Sequence, residues 1–206
     1  MRFPSRARAH LALAREPEVS AVTLMCLARD KDAATVEMYL HGMQIADDDR
    51  ERAFRHYRNA VSLMVALGPD AVDALCPRLA DSREEVRQVA AMSLASMAAP
   101  RATTCLATAT GWPDANGRLA AASVLKTVFA NGQLSAARGW LLVSKLLEDP
   151  EPAVRIQALH VLRFFNPEVA LPAAARAQQD TDPQVRTEAA NAAGDVEGLR
   201  RLRLGR

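Results

Sequence analysis

Three stretches of the 206-residue chain follow one plan. Residues 81–97 read DSREEVRQVAAMSLASM, 149–165 read DPEPAVRIQALHVLRFF, and 180–196 read DTDPQVRTEAANAAGDV. Each has an Asp, four residues, then Val-Arg, with small apolar residues three and seven beyond the Arg. A self-similar unit of about thirty residues cannot bury its apolar face alone, so it must stack on its neighbours. The chain is thereby restricted to an array of like units, each resting on the next.

Anchoring each unit on its arginine gives Arg58, Arg87, Arg118, Arg155 and Arg186, at spacings of 29, 31, 37 and 31. Three residues on stand Val61, Ala90, Ala121, Ala158 and Ala189; seven on stand Val65, Leu94, Leu125, Leu162 and Ala193. Eighteen on, another apolar column (Cys76, Cys105, Ala136, Ala173, Leu204) marks a second helix. Breaks between the two helices are expected at Gly68-Pro69, Pro100, Asn131-Gly132, Asn166-Pro167 and Gly194, since Pro and Gly end helices. Ser82 with Glu85 reads as a capping box, and Asp149-Pro150 and Asp182-Pro183 as caps before a first-turn proline. No segment alternates as a strand would. The expected fold is all-α: a right-handed α-solenoid of about five helix pairs behind a helical N-terminal cap.

The cap is residues 1–48, whose apolar spacing suggests helices but does not match the repeat. The array is 49–206, divided at about 49–81, 82–110, 111–148, 149–179 and 180–206. Asp47, Asp48 and Asp49 read as a solvated helix start, not a metal site.

Half the residues are apolar, 24% are charged and only 4% aromatic, a composition suited to close-packed helices and not to deep cofactor pockets. The net charge of +2 hides an uneven distribution. Residues 1–15 and 199–206 each hold four Arg and no acid, and 86–147 hold six basic residues and one acid. Segments 16–85 and 148–198 are acidic, with 14 acids against 8 bases and 9 against 4. A solvated helical surface commonly shows such a pattern; an anionic partner segment lying across the basic middle is the sharper reading. Cys76 and Cys105, 29 residues apart, occupy equivalent places in neighbouring units. With stacked helices about 8–10 Å apart, both are expected to be separate small core residues, which points weakly to a reducing cytoplasm. The longest apolar run noted, Ala21–Ala28, is far short of the ~20 residues of a membrane span.

The D-x-x-x-x-V-R-x-x-A pattern with its following Pro/Gly break resembles HEAT repeats, particularly the short type also found in phycobilin lyases. The resemblance spans about 49–206 and is strongest at Asp81–Arg87, Asp149–Arg155 and Asp180–Arg186. It implies a ladder of Asp and Arg contacts between adjacent repeats, with second helices lining a concave face. Trp112 and Arg52 stand where Asp is expected, so the ladder is expected to be interrupted at Arg118 and Arg58.

Enzymes that use this architecture set tests that the chain does not meet. His10, His41, His56 and His160 lack the following Glu of di-iron HEAT hydroxylases, and no two His are four apart. No aromatic cluster suits a tetrapyrrole, and no Gly-rich phosphate loop occurs. Trp112, Asp114 and Trp140 beside the basic middle echo HEAT-like DNA glycosylases, in which stacking on indoles would hold a base. Trp140 reads as core and Trp112 as a packed turn or a partner-facing anchor. No catalytic, metal or cofactor residue is assigned. The expected function is a non-catalytic cytoplasmic scaffold or adaptor that binds a protein or peptide, with nucleic-acid binding, with or without base excision, as the alternative. The candidate binding residues are Arg78, Arg101, Trp112, Arg138, Lys145 and Arg176, together with Arg200, Arg201 and Arg203 in the basic last helix.

Overall fold

A computed structural model describes residues 50–204, with side chains from Tyr57 to Leu202 (Asn59 apart). The expected cap and the Asp47–Asp49 run lie outside the described residues, which contain helices and no strand. The fold is an all-α solenoid of stacked helices. The described residues divide into two compact units, 50–106 and 107–204.

In the first unit, α1 (Arg50–Leu67) ends at Gly68, whose φ of +72° suits a residue without a side chain. A 3-10 turn (Gly68–Ala71), a short α2 (Val72–Leu75) and a second 3-10 segment (Cys76–Ala80) follow. Then come α3 (Glu84–Ser96) and α4, which begins at Pro100 and runs to Ala109. The first helices of the two repeats, α1 and α3, pack together. The Ala60–Ala80 stretch is long and apolar enough to cross a membrane, unlike the shorter Ala21–Ala28 run singled out from the sequence. It is bent at Gly68-Pro69, and its Leu63, Met64, Leu75 and Leu79 are fully buried within the protein. Those four side chains belong to the core.

The second unit contains α5 (Ala115–Ser123), α6 (Leu125–Ala130), α7 (Ala136–Leu146) and α8 (Pro152–Leu159). A 3-10 turn (Leu162–Phe164), α9 (Pro167–Ala177) and α10 (Pro183–Leu204) complete it. First helices stack in order, α5 on α8 and α8 on α10, while α7 packs on α8 and α9 on α10. Ala90, Ala121, Ala158 and Ala189, the column three beyond the arginine, are all fully buried. Leu94, Leu125 and Leu162 of the next column are buried too.

Several expectations need correction. In the first repeat the buried residues are Ala60, Leu63, Met64 and Leu67, one position before the expected Val61 and Val65. Half-buried Tyr57, not exposed Arg58, therefore occupies the anchor position, and burial raises its phenol pKa. Ala136 is exposed, because the 37-residue spacing includes a longer turn at Asn131–Ser135; Leu142 is the true equivalent of Ala173. Val124 (φ −102°) and Val161 (φ −103°), each six beyond its arginine, interrupt the first helices that the column agreement implied were continuous. Ser82 does not cap α3; the Asp81 carboxylate accepts the Arg83 amide instead, at 3.0 Å. Likewise α8 starts at Pro152, not Pro150, with Asp149 accepting the Glu151 amide at 2.9 Å. Asp182 does cap α10, accepting the amides of Gln184 and Val185 at 2.8 and 3.0 Å.

Gly194 does not end a helix. α10 continues through it for 22 residues, so no second helix carrying Leu204 forms among the described residues. A helical glycine costs only about 1 kcal/mol relative to alanine, and without a proline its neighbours carry the helix onward.

Cys76 and Cys105 are disulfide-bonded, with Cα atoms 6.1 Å apart. The expectation of separate residues confused the spacing of axes with the spacing of facing atoms. Cα atoms lie about 2.3 Å from the axis, so facing positions on helices 8–10 Å apart approach to about 4–5 Å. The premise for a reducing compartment goes with that correction.

Candidate partner-binding face

The arginine column builds the scaffold of the second unit. Nη1 of Arg118 donates to the carbonyls of Trp112 (2.9 Å) and Pro113 (2.8 Å). Arg155 does the same to Asp149 (2.7 Å) and Pro150 (3.2 Å), and Arg186 to Asp180 (2.8 Å) and Thr181 (3.0 Å). In the first unit Arg87 repeats it on Asp81 (2.8 Å) and Ser82 (3.0 Å). Each guanidinium thus fastens the loop before its own helix. Its remaining edge reaches forward: Arg118 grips Asp149 at 2.7 and 3.0 Å, and Arg155 grips Asp180 at 2.9 and 2.8 Å. These bidentate charged pairs are of the strong kind. Hydrogen bonding to Arg155 holds the Asp180 carboxyl below its ordinary pKa against the opposing effect of burial. Arg118 makes its own rung, so the interruption expected from Trp112 does not fall there; it falls on Arg87, which meets no carboxylate among the described residues. The loop of Arg118 needs only a carbonyl from position 112, which Trp supplies as well as Asp.

On this scaffold α7 and α9 present matching outer faces. The Ser135 hydroxyl caps α7 by accepting the Arg138 amide at 3.4 Å. Gly139 lets the helix sit close, since a Cβ there would lie 2.3 Å from Phe129 Cε1 and 2.4 Å from its Cζ. Trp140 packs edge-on against Phe165 with centroids 5.3 Å apart, as its core reading required. Val143 and Leu146 are buried. The opposite side carries Arg138, Leu141 and Lys145, at i, i+3 and i+7 on one stripe. Leu141 is 68% exposed.

α9 repeats this arrangement 31 residues later. Asn166 caps it by accepting the Glu168 amide at 3.1 Å, and Ala170, Ala173 and Ala174 are buried. Val169, Pro172 and Arg176, at the positions of Arg138, Leu141 and Lys145, are exposed. Among the described residues Arg138, Lys145 and Arg176 have no carboxylate partner. The result is two basic-apolar stripes on successive second helices.

The other candidates are already engaged. Arg78 pairs with Asp81 at 3.3 Å, and Arg101 with Asp73 at 2.5 Å. Arg200 and Arg201 share Glu197 at 3.5 and 3.6 Å, and the Arg203 side chain lies outside the described ones. Trp112 is partly buried with its ring over Gly117, where a Cβ would come within 2.8 Å of Cε3; it is a packed turn. The residues that sequence reasoning missed are Leu141, Val169 and Pro172. The signal was available for Leu141, an apolar residue on the same helical stripe as two cations.

A separate half-open cleft of about 250 Å³ lies among first helices, lined by Lys126, Leu159, His160, Arg163, Glu188, Asn191, Ala192 and Asp195. His160, at the rim of the cleft, is exposed and approaches Glu188 at 3.5 Å. Among the described residues no group of three or more His, Cys, Asp or Glu could hold a metal ion.

Residues 141–203 match the family described as HEAT repeats. No curated protein matches the chain. Similar solved structures include a designed armadillo repeat protein, YIII(Dq)4CqI, at 18% identity and TM-score 0.49, covering 92% of both chains. A second, YIII(Dq.V1)4CPAF in complex with the peptide (KR)4, has 17% identity and TM-score 0.46, covering 92% of this chain and 91% of that one. An engineered protein, Northeast Structural Genomics Consortium target OR329, has 18% identity and TM-score 0.46, covering 95% and 98%. The family match falls on the stretch holding Asp149, Arg155, Asp180 and Arg186, and over residues 141–203 the chain is similar to HEAT repeats.

Proposed function

We propose that the protein is a non-catalytic scaffold that binds an acidic, partly apolar segment of another protein across α7 and α9. The observation that carries this reading is Leu141, exposed between Arg138 and Lys145 while neither cation has a carboxylate partner among the described residues. An apolar anchor flanked by unpaired cations favours a partner with the complementary pattern. The charges contribute on-rate and selectivity, and the apolar contact contributes affinity. Val169, Pro172 and Arg176 extend the same chemistry by one repeat.

A labelled peptide alternating Glu with Leu should bind, and its Lys-for-Glu counterpart should not. Arg138→Glu with Lys145→Glu should weaken binding at least tenfold, and Leu141→Asp should do so independently. Equal affinity for both peptides would remove the reading. Duplex and single-stranded DNA belong in the same titration, because steep salt-dependent binding of either would favour a nucleic-acid partner instead.

A further inference from the structure

The half-open cleft of the second unit is lined by residues that take no part in the ladder or in the α7–α9 face. It lies on the outer side of the first helices, and its exposure does not come from standing beside the last of them. Ser123 and His160, five beyond their arginines, are exposed although further repeats follow, just as Asn191 is on α10. The floor is apolar, with Leu159 and Ala192 only 1% and 7% exposed. The rim is charged. Lys126 and Arg163, each eight beyond the arginine of its repeat, bring cations from α6 and from the turn after α8, and α10 brings Glu188 and Asp195.

Only part of this charged set pairs with itself. Glu188 is approached by His160 at 3.5 Å and accepts from the Asn191 amide at 3.4 Å. Lys126, Arg163 and Asp195 form no ion pair among the described residues. The frame keeps them apart. Two hydrogen bonds from Arg155 to Asp180, at 2.9 and 2.8 Å, and the fully buried Ala158 and Ala189 fix how α10 lies against α8. The Arg163 guanidinium is further oriented by the Phe164 ring, 5.2 Å from its centroid. One unpaired cation is ordinary at a surface. Unpaired charges of both signs around one apolar floor restrict what could satisfy them to a ligand that carries both complementary charges itself.

We propose that the cleft binds a small zwitterion of the α-amino-acid class. Arg163, with Lys126, takes the carboxylate, since a guanidinium matches two oxygens in a plane. Asp195 takes the ammonium, and a short apolar side chain lies over Leu159 and Ala192. The volume of about 250 Å³ sets the size. It falls below the roughly 300–1,000 Å³ of pockets for drug-sized ligands, which leaves room for an amino acid and none for a nucleotide. The proposal does not depend on the α7–α9 face.

L-leucine serves as the probe, with leucine amide, which lacks the carboxylate, and isocaproate, which lacks the ammonium, as controls. Each is titrated into the isotope-labelled full chain and followed by backbone amide NMR shifts. We expect saturable shifts confined to the residues of the cleft, with a dissociation constant in the millimolar range and about tenfold or more weaker binding of both controls. The controls vary the ligand alone, so they decide the matter whatever a protein variant does to the fold. Arg163→Gln and Asp195→Asn, which leave the ladder untouched, should each weaken leucine about tenfold. No saturable shift, or shifts lying outside the cleft, would overturn the proposal. Equal binding of isocaproate would do the same by revealing a plain anion site, and equal binding of leucine amide by revealing a plain cation site.

Discussion

At the scale of single residues, the second unit depends on a guanidinium that bonds in two directions. Arg155 ties its own loop through carbonyls and the next repeat through Asp180. Removing either partner strands the other, so Arg155→Met and Asp180→Asn should each destabilise by about 2–4 kcal/mol. A double-mutant cycle by urea denaturation should return a coupling of about 1–3 kcal/mol. The acid dependence follows from the lowered Asp180 pKa. A carboxyl whose native pKa lies below its unfolded value of about 3.9 stabilises the fold above that value. The contribution erodes as the pH falls through the native pKa, and Asp180→Asn should flatten the stability profile across that acid range. Gly139 makes an independent point. Alanine there would drive its Cβ into Phe129. Gly139→Ala should cost about 1–3 kcal/mol, with partial recovery when Phe129 is also changed to Leu.

Among the elements, α10 and the cysteine-linked pair of segments depart most from sequence expectation. If α10 is one helix through Gly194, with open space around that residue, Gly194→Ala should raise stability by up to about 1 kcal/mol. Thermal melts of the full chain measure this, and a loss would instead indicate a break at that position. The Cys76–Cys105 bond closes a loop of 29 residues across α4 and the 3-10 segment before α3. Chain-entropy arguments give such a loop about 3–4 kcal/mol of stabilisation. Peptide mapping without reductant should recover the two cysteines in one linked fragment, and Cys105→Ser should lower stability by about that amount.

For the whole molecule, the disulfide lies entirely within one of the two compact units. Reduction should therefore loosen residues 50–106 while leaving 107–204 protected, as hydrogen exchange with and without a dithiol reductant would show by segment. Uniform loss of protection would mean that the units unfold together.

The sequence alone determined the repeat, its helices and most of its buried columns. Those properties arise from local periodicity and from residues, Pro, Gly, Asp and Arg, whose backbone chemistry acts within a few positions. Ala90, Ala121, Ala158 and Ala189 could be placed at helix contacts for that reason. The candidate binding face was only half legible: Arg138, Lys145 and Arg176 were named, but their freedom from ion pairs depends on which carboxylates fold near them. Tertiary structure alone decided that Arg78 and Arg101 are paired, that Arg118 finds Asp149, and that Cys76 faces Cys105. These are distances between residues remote in the chain, set by how closely one helix lies against the next, and no spacing along a single strand of letters encodes that approach.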